Sequence, residues 1–448
     1  SERGWGIANV VQEQTYQQLI AINRKAAQAQ AAPGSSTQKV GDYWAMAIDS
    51  ARADQLGATP LAPYLAKVEA ITDRKGLLAT IAEFQTLAFS PLYGLYIGQD
   101  ERNSAAYITH LSQGGLGMPE RDYYFNTDST TRYVRREYVK HVARMLELLG
   151  ETPKAAAADA GAIMTLEKAL AAHSRTLEQR RDPYANYNKK SFAALQALTP
   201  SIDWAQQCRI LGLAGVDSVV VGQPEFLAAA DSCVKATPLP VWKAYLRWQV
   251  VGSLADRLSS AFERESFHFN ATVLSGVPKM RPRWKRALDA EENGIGELLG
   301  QEWIKDYCSP ATKARYETLT AAIINEFHDR IVKLPWMSET TKQKALSKLA
   351  HVRRKVAYPD KWRDYSTLTI GRESYAANQV AVERWRAQGV NIDYVWVRTV
   401  ADIDAQIDAW LTGDMPRVDY VWTVWGYHVL TDVANQVIIE DADGLIAR

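Results

Sequence analysis

The chain has 448 residues, 47% of them hydrophobic and 23% charged, and at roughly 100 to 200 residues per domain it holds about two to four units, or fewer large ones. Those proportions exclude a disordered, collagen-like or coiled-coil chain, and 52 basic against 51 acidic residues leave no global electrostatic case for nucleic acid or an anionic membrane. No run of about 18 uninterrupted apolar residues occurs and the first 30 residues lack the basic head and apolar block of a secretion signal, so the chain reads as soluble, with no membrane segment.

In chain order, Pro33-Gly34-Ser35-Ser36 and Gly114-Gly115-Leu116-Gly117-Met118-Pro119 mark early loops. An apolar stripe at Val134, Tyr138, Val142, Met145 and Leu149 predicts a helix stopped by Gly150 and Pro153. Ile163, Leu166, Leu170, His173 and Leu177 predict a second helix that ends before Pro183. After a loop at Ser275-Gly276-Val277-Pro278, Tyr316, Leu319, Ile323, Phe327 and Ile331 predict a third, broken at Pro335. All three are expected to be amphipathic core helices, each burying one face. The fold class that follows is mainly α, with a short, partly β segment at the end.

That last segment has a different character. Residues 391–448 hold ten acids against three arginines and no lysine, a net −7, which leaves +8 on residues 1–390. Ile392-Asp393-Tyr394-Val395-Trp396-Val397 and Val418-Asp419-Tyr420-Val421-Trp422-Thr423 share a DYVW tetrapeptide and are β-branched and aromatic, so they read as strands flanking a short helix at Ala401 to Leu411. The boundary expected is 1–390 for the helical body and 391–448 for an acidic segment that forms a small α+β edge.

Zinc hydrolysis on a helix needs HExxH, which places two imidazoles on one face with a glutamate as base. None of His110, His141, His173, His268, His328, His351 or His428 is followed by that spacing, and no HxxEH exists. Glu137 with His141 is the nearest helical pair and reads as solvent-exposed, while His173, in an apolar stripe, reads as a hydrogen-bonded core histidine. There is no GxSxG elbow, and Cys208, Cys233 and Cys308 sit in no recognisable nucleophile context. One disulfide among them is possible, leaving one thiol free. The Gly114–Gly117 run lacks the lysine of a phosphate loop and reads as a turn with glycine at positive φ. The basic runs Arg281-Pro282-Arg283-Trp284-Lys285-Arg286 and Arg353-Arg354-Lys355 can grip phosphates, with Trp284 as a stacking partner. Each is short and flanked by acids such as Asp289, Glu291 and Glu292, so each reads better as a solvated face or an internal ion-pair partner. No catalytic or metal-ligating residue is assigned, and substrate-binding residues are unknown.

Several segments gain meaning only in order. They are Gly4-Trp5-Gly6; Gly41-Asp42-Tyr43-Trp44 followed by Asp49, Gly57 and Pro60-Leu61; Gly114 through Pro119-Glu120-Arg121-Asp122-Tyr123-Tyr124; Arg181-Asp182-Pro183 with Tyr187-Asn188-Lys189; Pro282 through Arg286; Leu299-Gly300-Gln301; Trp336-Met337 with Thr341-Lys342; Lys348-Leu349; and Tyr358 through Ser366. This ordered set, over roughly residues 1 to 380, resembles the neprilysin family of zinc metallopeptidases. The resemblance implies a large helical cap over a thermolysin-like zinc lobe, enclosing a chamber that admits short peptides and excludes folded proteins. It makes the GGLGMPERDYY and PRWKR segments structural signatures of the cap.

Departures from the family pattern fall late. Its substrate-backbone motif is expected near residue 427, where the chain has Gly426-Tyr427-His428-Val429 and then Asn435-Gln436-Val437-Ile438-Ile439. Only Asn435 and the apolar run after it match. HExxH, the downstream glutamate ligand and its aspartate are expected beyond residue 448, and Glu440-Asp441-Ala442-Asp443-Gly444-Leu445 lies too early and lacks histidine partners. The resemblance therefore implies the cap-containing N-terminal part of a zinc endopeptidase, not catalytic by itself, with zinc, short peptide substrates and a separate catalytic lobe as partners. In the complete enzyme a zinc-polarised water attacks the peptide carbonyl with a glutamate as base. The family setting implies an extracytoplasmic location, bacterial periplasm or secreted. The competing expectation is a non-catalytic peptide- or protein-binding module, or a pseudoenzyme, whose acidic tail replaces the catalytic lobe.

Overall fold

The computed structural model describes residues 6–399 apart from 88, 214 and 353. Helices dominate, as the apolar periodicity implies. Two compact units form, one from the residues up to Ile48 with Pro282–Gly371, the other from Asp49–Arg281 with Arg372–Thr399.

The larger unit is built around the two helices with the clearest stripes. Asp128 caps the Ser129–Leu148 helix by accepting from the Thr131 N–H at 2.9 Å, which satisfies one donor left without an intrahelical partner. The helix stops before Gly150, whose φ is +102°. Thr152 then caps Pro153–Ala172, with Pro153 where a missing N–H costs no helical bond. Val134, Tyr138, Val142, Met145, Ile163, Leu166 and Leu170 are buried. They share one core with Trp242, Tyr245 and Leu246 of the Leu239–Leu254 helix, each large apolar side chain contributing about 1.5–3 kcal/mol on burial.

A small sheet, which helical periodicity alone does not reveal, lies in this unit. Strands β1 (Tyr93–Asp100) and β2 (Asn103–Gln113) form an antiparallel hairpin with Tyr96 opposite His110. With β3 (Lys189–Ser191) and β4 (Ser218–Val221) the order is β1-β2-β4-β3, β2 and β4 running parallel. The hairpin delivers the chain directly into Gly114.

In the smaller unit, Ile7–Gln28, Ser36–Ile48 and Arg283–Tyr307 pack together. A Cβ at Gly41 would lie 2.4 Å from the Ala26 carbonyl oxygen, so only glycine lets the first two helices approach this closely. Buried Asn23 donates to Glu291 Oε2 at 2.7 Å, and the Tyr43 hydroxyl donates to the Ala290 carbonyl at 3.2 Å. The Lys39 ammonium is buried and donates to the Tyr365 carbonyl, fastening the irregular segment around Tyr365 to a helix.

Two expectations are corrected. The third stripe does form a helix, Pro310–Lys333, but none of Tyr316, Leu319, Ile323, Phe327 and Ile331 is buried. Thr320 is its only fully buried residue, because among the described residues nothing closes over most of the stripe. Ile392–Val397 lies inside the helix Tyr375–Thr399 and forms no strand. Extending a helix already packed through Ala376, Val380 and Val382 gains a bond per residue fixed, whereas a lone β-branched run needs a ladder partner. The second DYVW segment and the Ala401–Leu411 helix lie outside the described residues.

Candidate functional site

The glycine run after β2 is held by close approach. Gly115 has φ +74°, and its carbonyl accepts from the Tyr245 hydroxyl at 2.8 Å. A Cβ on Gly117 would sit 1.9 Å from the Tyr138 hydroxyl oxygen. Beneath this loop lies Glu167, fully buried on the Pro153–Ala172 helix. Its carboxyl accepts from Tyr124 at 2.7 Å and from Tyr138 at 2.8 Å, while the Tyr124 oxygen also accepts from the Met118 N–H at 3.1 Å. Burial pushes the Glu167 acid up to about 7, with the two hydroxyls and the Gly117 N–H opposing it. This cluster is sealed from solvent, so it positions the loop and cannot meet a substrate. Glu167 was legible in principle, as the one acid between Ile163, Leu166 and Leu170 on a buried helix face.

The anchored loop carries Arg121 to a solvent-open cleft of ≈ 380 Å³, lined also by His173, Arg175, Thr176, Gln179 and Glu225. Arg175 is locked in place. It donates to both Glu225 oxygens at 2.6 and 3.2 Å, to the Ala185 carbonyl at 2.9 Å and to Asn186 Oδ1 at 3.0 Å. Arg121 donates to Asp122 at 2.9 Å and lies over the Phe125 ring at 5.1 Å. Burial, with the Asp122 and Glu178 charges, raises the neighbouring Glu120. Polar groups can be held here, but nucleophilic chemistry is not set up. The Ser174 hydroxyl is spent on the Leu170 carbonyl at 3.2 Å, so His173 and Ser174 are not a base and nucleophile pair. This cleft was not legible beforehand, because Arg121, Arg175 and Glu225 come from three separate segments.

The residues singled out from the sequence fall elsewhere. His141 is buried, not solvent-exposed, and pairs with Glu265 at 2.9 Å while stacking on Phe269 at 4.8 Å. Burial lowers its pKa. Glu137 instead pairs with Lys140 at 2.7 Å. His173 is exposed at the end of its helix, since the stripe stops one turn earlier than its spacing suggested. Cys208, Cys233 and Cys308 are all free thiols, raised by burial. In the basic run, Trp284 packs edge-on against Tyr16 at 5.7 Å, Lys285 pairs with Glu13 at 3.1 Å, and Arg283 donates to the Ala47 carbonyl at 2.8 Å. This is the internal role expected, and Lys285 takes its acid partner from the first helix. Arg354 donates to the Glu317 carbonyl at 3.2 Å.

Among the described residues, no group of three or more His, Cys, Asp or Glu side chains is placed to hold a metal ion, and no helix is long and apolar enough to cross a membrane. Asn435, His428 and Glu440 lie outside the described residues.

Comparison with known proteins places this arrangement. The model for Peptidase family M13 matches residues 1–359. The chain is 26% identical over 406 residues to Neprilysin-3 of Drosophila melanogaster, covering 84% of this chain and 51% of that protein. It is 28% identical over 375 residues to endothelin-converting enzyme-like 1 of Rattus norvegicus, covering 80% and 47%. The chain thus spans about half the length of the curated relatives it matches. Among solved structures, the Mycobacterium tuberculosis zinc metalloprotease Zmp1 in its open state superposes with TM-score 0.80 at 30% identity, over 88% of this chain and 62% of that one. Gly117 and Trp284 lie within the segments that carried the resemblance, and the family match over residues 1–359 runs through them and through their partners Glu167 and Tyr16: the chain belongs to peptidase family M13, the neprilysin-like family its ordered motifs resemble.

Proposed function

We propose that this polypeptide is the cap-containing N-terminal part of a neprilysin-like zinc endopeptidase acting on short peptides, and that it is not catalytic by itself. One observation carries this reading: an M13 match over residues 1–359 in a chain that spans about half the length of its relatives. Among the described residues the side chains do not fit a zinc site, so no catalytic step is assigned to them. Zinc would supply water activation and carbonyl polarisation from a separate catalytic lobe. Residues 1–390 would serve as the cap region and 391–448 as a divergent acidic segment, with an extracytoplasmic, periplasmic or secreted location for the whole.

Metal content by mass spectrometry, paired with intact mass and with cleavage of a short peptide, tests this. The expected outcome is no zinc and no hydrolysis at the mass of 448 residues, and chelator-sensitive hydrolysis once a zinc-bearing lobe is supplied. One zinc per 448-residue chain, with activity, would overturn it.

A further inference from the structure

The cleft beside Arg121 has a wall that is built rather than loose. Residues 174–188 hold only two short helical turns, Gln179–Arg181 and Pro183–Asn186, yet they are pinned from several sides. The Arg175 N–H donates to Gln113 Oε1 at 2.8 Å, and its carbonyl accepts from Gln113 Nε2 at 3.1 Å. Gln223 Nε2 donates to Asn186 Oδ1 at 2.9 Å, and Asn186 Nδ2 donates to the Arg180 and Asp182 carbonyls at 2.8 and 2.6 Å. A loop fixed in this way meets a ligand without first having to be ordered, which removes one cost of binding. The cavity of ≈ 380 Å³ is of ordinary size for a small-molecule site.

Donors and acceptors along the lining are out of balance. Both Glu225 oxygens are taken by Arg175, at 2.6 and 3.2 Å, and Gln179 Oε1 accepts from the Thr176 N–H at 2.9 Å. The Thr176 hydroxyl oxygen accepts from the Gln179 N–H at 3.3 Å, which leaves its own O–H to donate, and Gln179 Nε2 is unspent. Arg121, with 28% of its side chain exposed, uses only Nη1, on Asp122. Among the described residues its Nη2 has no partner, and its Nε is buried without one. The acceptors are therefore engaged while three side chains keep donors to give, which selects an acceptor-rich ligand. Charge limits that ligand further. Glu225 neutralises Arg175, and Asp122 and Glu178 lie close enough to Glu120 to raise it, so a dianion is opposed where a single charge is not.

We infer that this cleft binds a small carboxylate, oriented by Arg121 with Thr176 and Gln179 as further donors. The planar fork of a guanidinium matches the two oxygens of a carboxylate. The carboxylate can belong to a free organic acid or to a peptide, and the probes below separate the two. The inference does not rest on the proposed function, because binding is read without hydrolysis.

Isothermal titration of the full 448-residue chain at low salt tests it with acetate, acetyl-dialanine, acetyl-dialanine amide and inorganic phosphate. A carboxylate is expected to fill one site with a millimolar dissociation constant, because a solvent-open ion pair gains little. The amide, which lacks the charge, and phosphate at pH 8, a dianion, should bind about tenfold more weakly or worse. Arg121→Gln should weaken the carboxylate by about tenfold or more and Gln179→Ala by about threefold, as charged and neutral hydrogen bonds differ. Bound carboxylate should slow hydrogen exchange in residues 174–186. Arg121 also lies over the Phe125 ring, so if Arg121→Gln lowers the melting temperature, Gln179→Ala and the exchange map decide. Acetate within tenfold of acetyl-dialanine identifies a free acid as the ligand, and a wider gap in favour of acetyl-dialanine identifies a peptide. No saturation by either carboxylate overturns the inference, as do equal binding of the amide, tighter binding of phosphate, and binding that neither variant weakens.

Discussion

Two buried glutamates show how single residues report on the folded state. Glu167 titrates at about 7 in the folded chain because burial disfavours its charge, against about 4.3 for an unfolded glutamate. Between those values the native chain holds a proton that the unfolded chain has released. Its stabilising contribution is complete below the unfolded value and is lost as pH rises through 7, an effect of up to roughly 3 kcal/mol. Denaturant titrations at pH 5 and pH 8 should show this loss, and Glu167→Gln should flatten it. Glu291 is raised well above the carboxylate range, again by burial, and among the described residues neither its Oε1 nor Asn23 Oδ1 has a hydrogen-bond partner. A protonated acid has the O–H that Asn23 Oδ1 can accept. Glu291→Gln, which keeps a donor and an acceptor, should therefore change stability by less than about 1 kcal/mol, while Glu291→Leu should cost about 1–3 kcal/mol by stranding the Asn23 amide. Urea unfolding midpoints distinguish the two.

At the scale of elements, periodicity located helices well and judged their burial unevenly. The stripes of Ser129–Leu148 and Pro153–Ala172 were legible because their partners lie in the same unit; the structure adds Asp128 and Thr152 as the caps where these helices start. The stripe of Pro310–Lys333 has the same spacing, yet a sequence pattern states which face wants cover and not whether cover is present. The hairpin was illegible for another reason: Gly94 and Gly98 dilute the β signal of β1, and pairing with β2 and β4 decides the outcome. The loop leaving that hairpin yields a sharp prediction. Gly117→Ala would force its methyl into the Tyr138 hydroxyl, displacing a donor of Glu167. A loss of about 2–4 kcal/mol is expected, together with changed near-ultraviolet circular dichroism. An unchanged spectrum and midpoint would show that the loop can shift at little cost.

For the whole molecule, what was legible was membership and what was not was chemistry, and one cause explains both. The ordered motifs are packing determinants: Gly41 admits the first helix, Gly117 admits Tyr138, and Trp284 with Lys285 ties the third long helix of its unit to Tyr16 and Glu13. Such residues are scattered along the chain at the points where the fold closes, so their order survives as a signature even where each is weak alone. The cleft at Arg121 and Arg175 has no such signature, since it arises from side chains that become neighbours only on folding. The zinc ligands of the family were not legible because no HExxH is present in the 448 residues.

The Lys39 ammonium, buried and lowered by desolvation, holds the Tyr365 carbonyl and thereby the irregular stretch beside it. An amine in that position is shielded from acylating reagents for as long as the stretch stays fastened. Lys39 is thus a built-in clock: its rate of labelling, measured peptide by peptide against the exposed lysines, counts how often this part of the chain lets go.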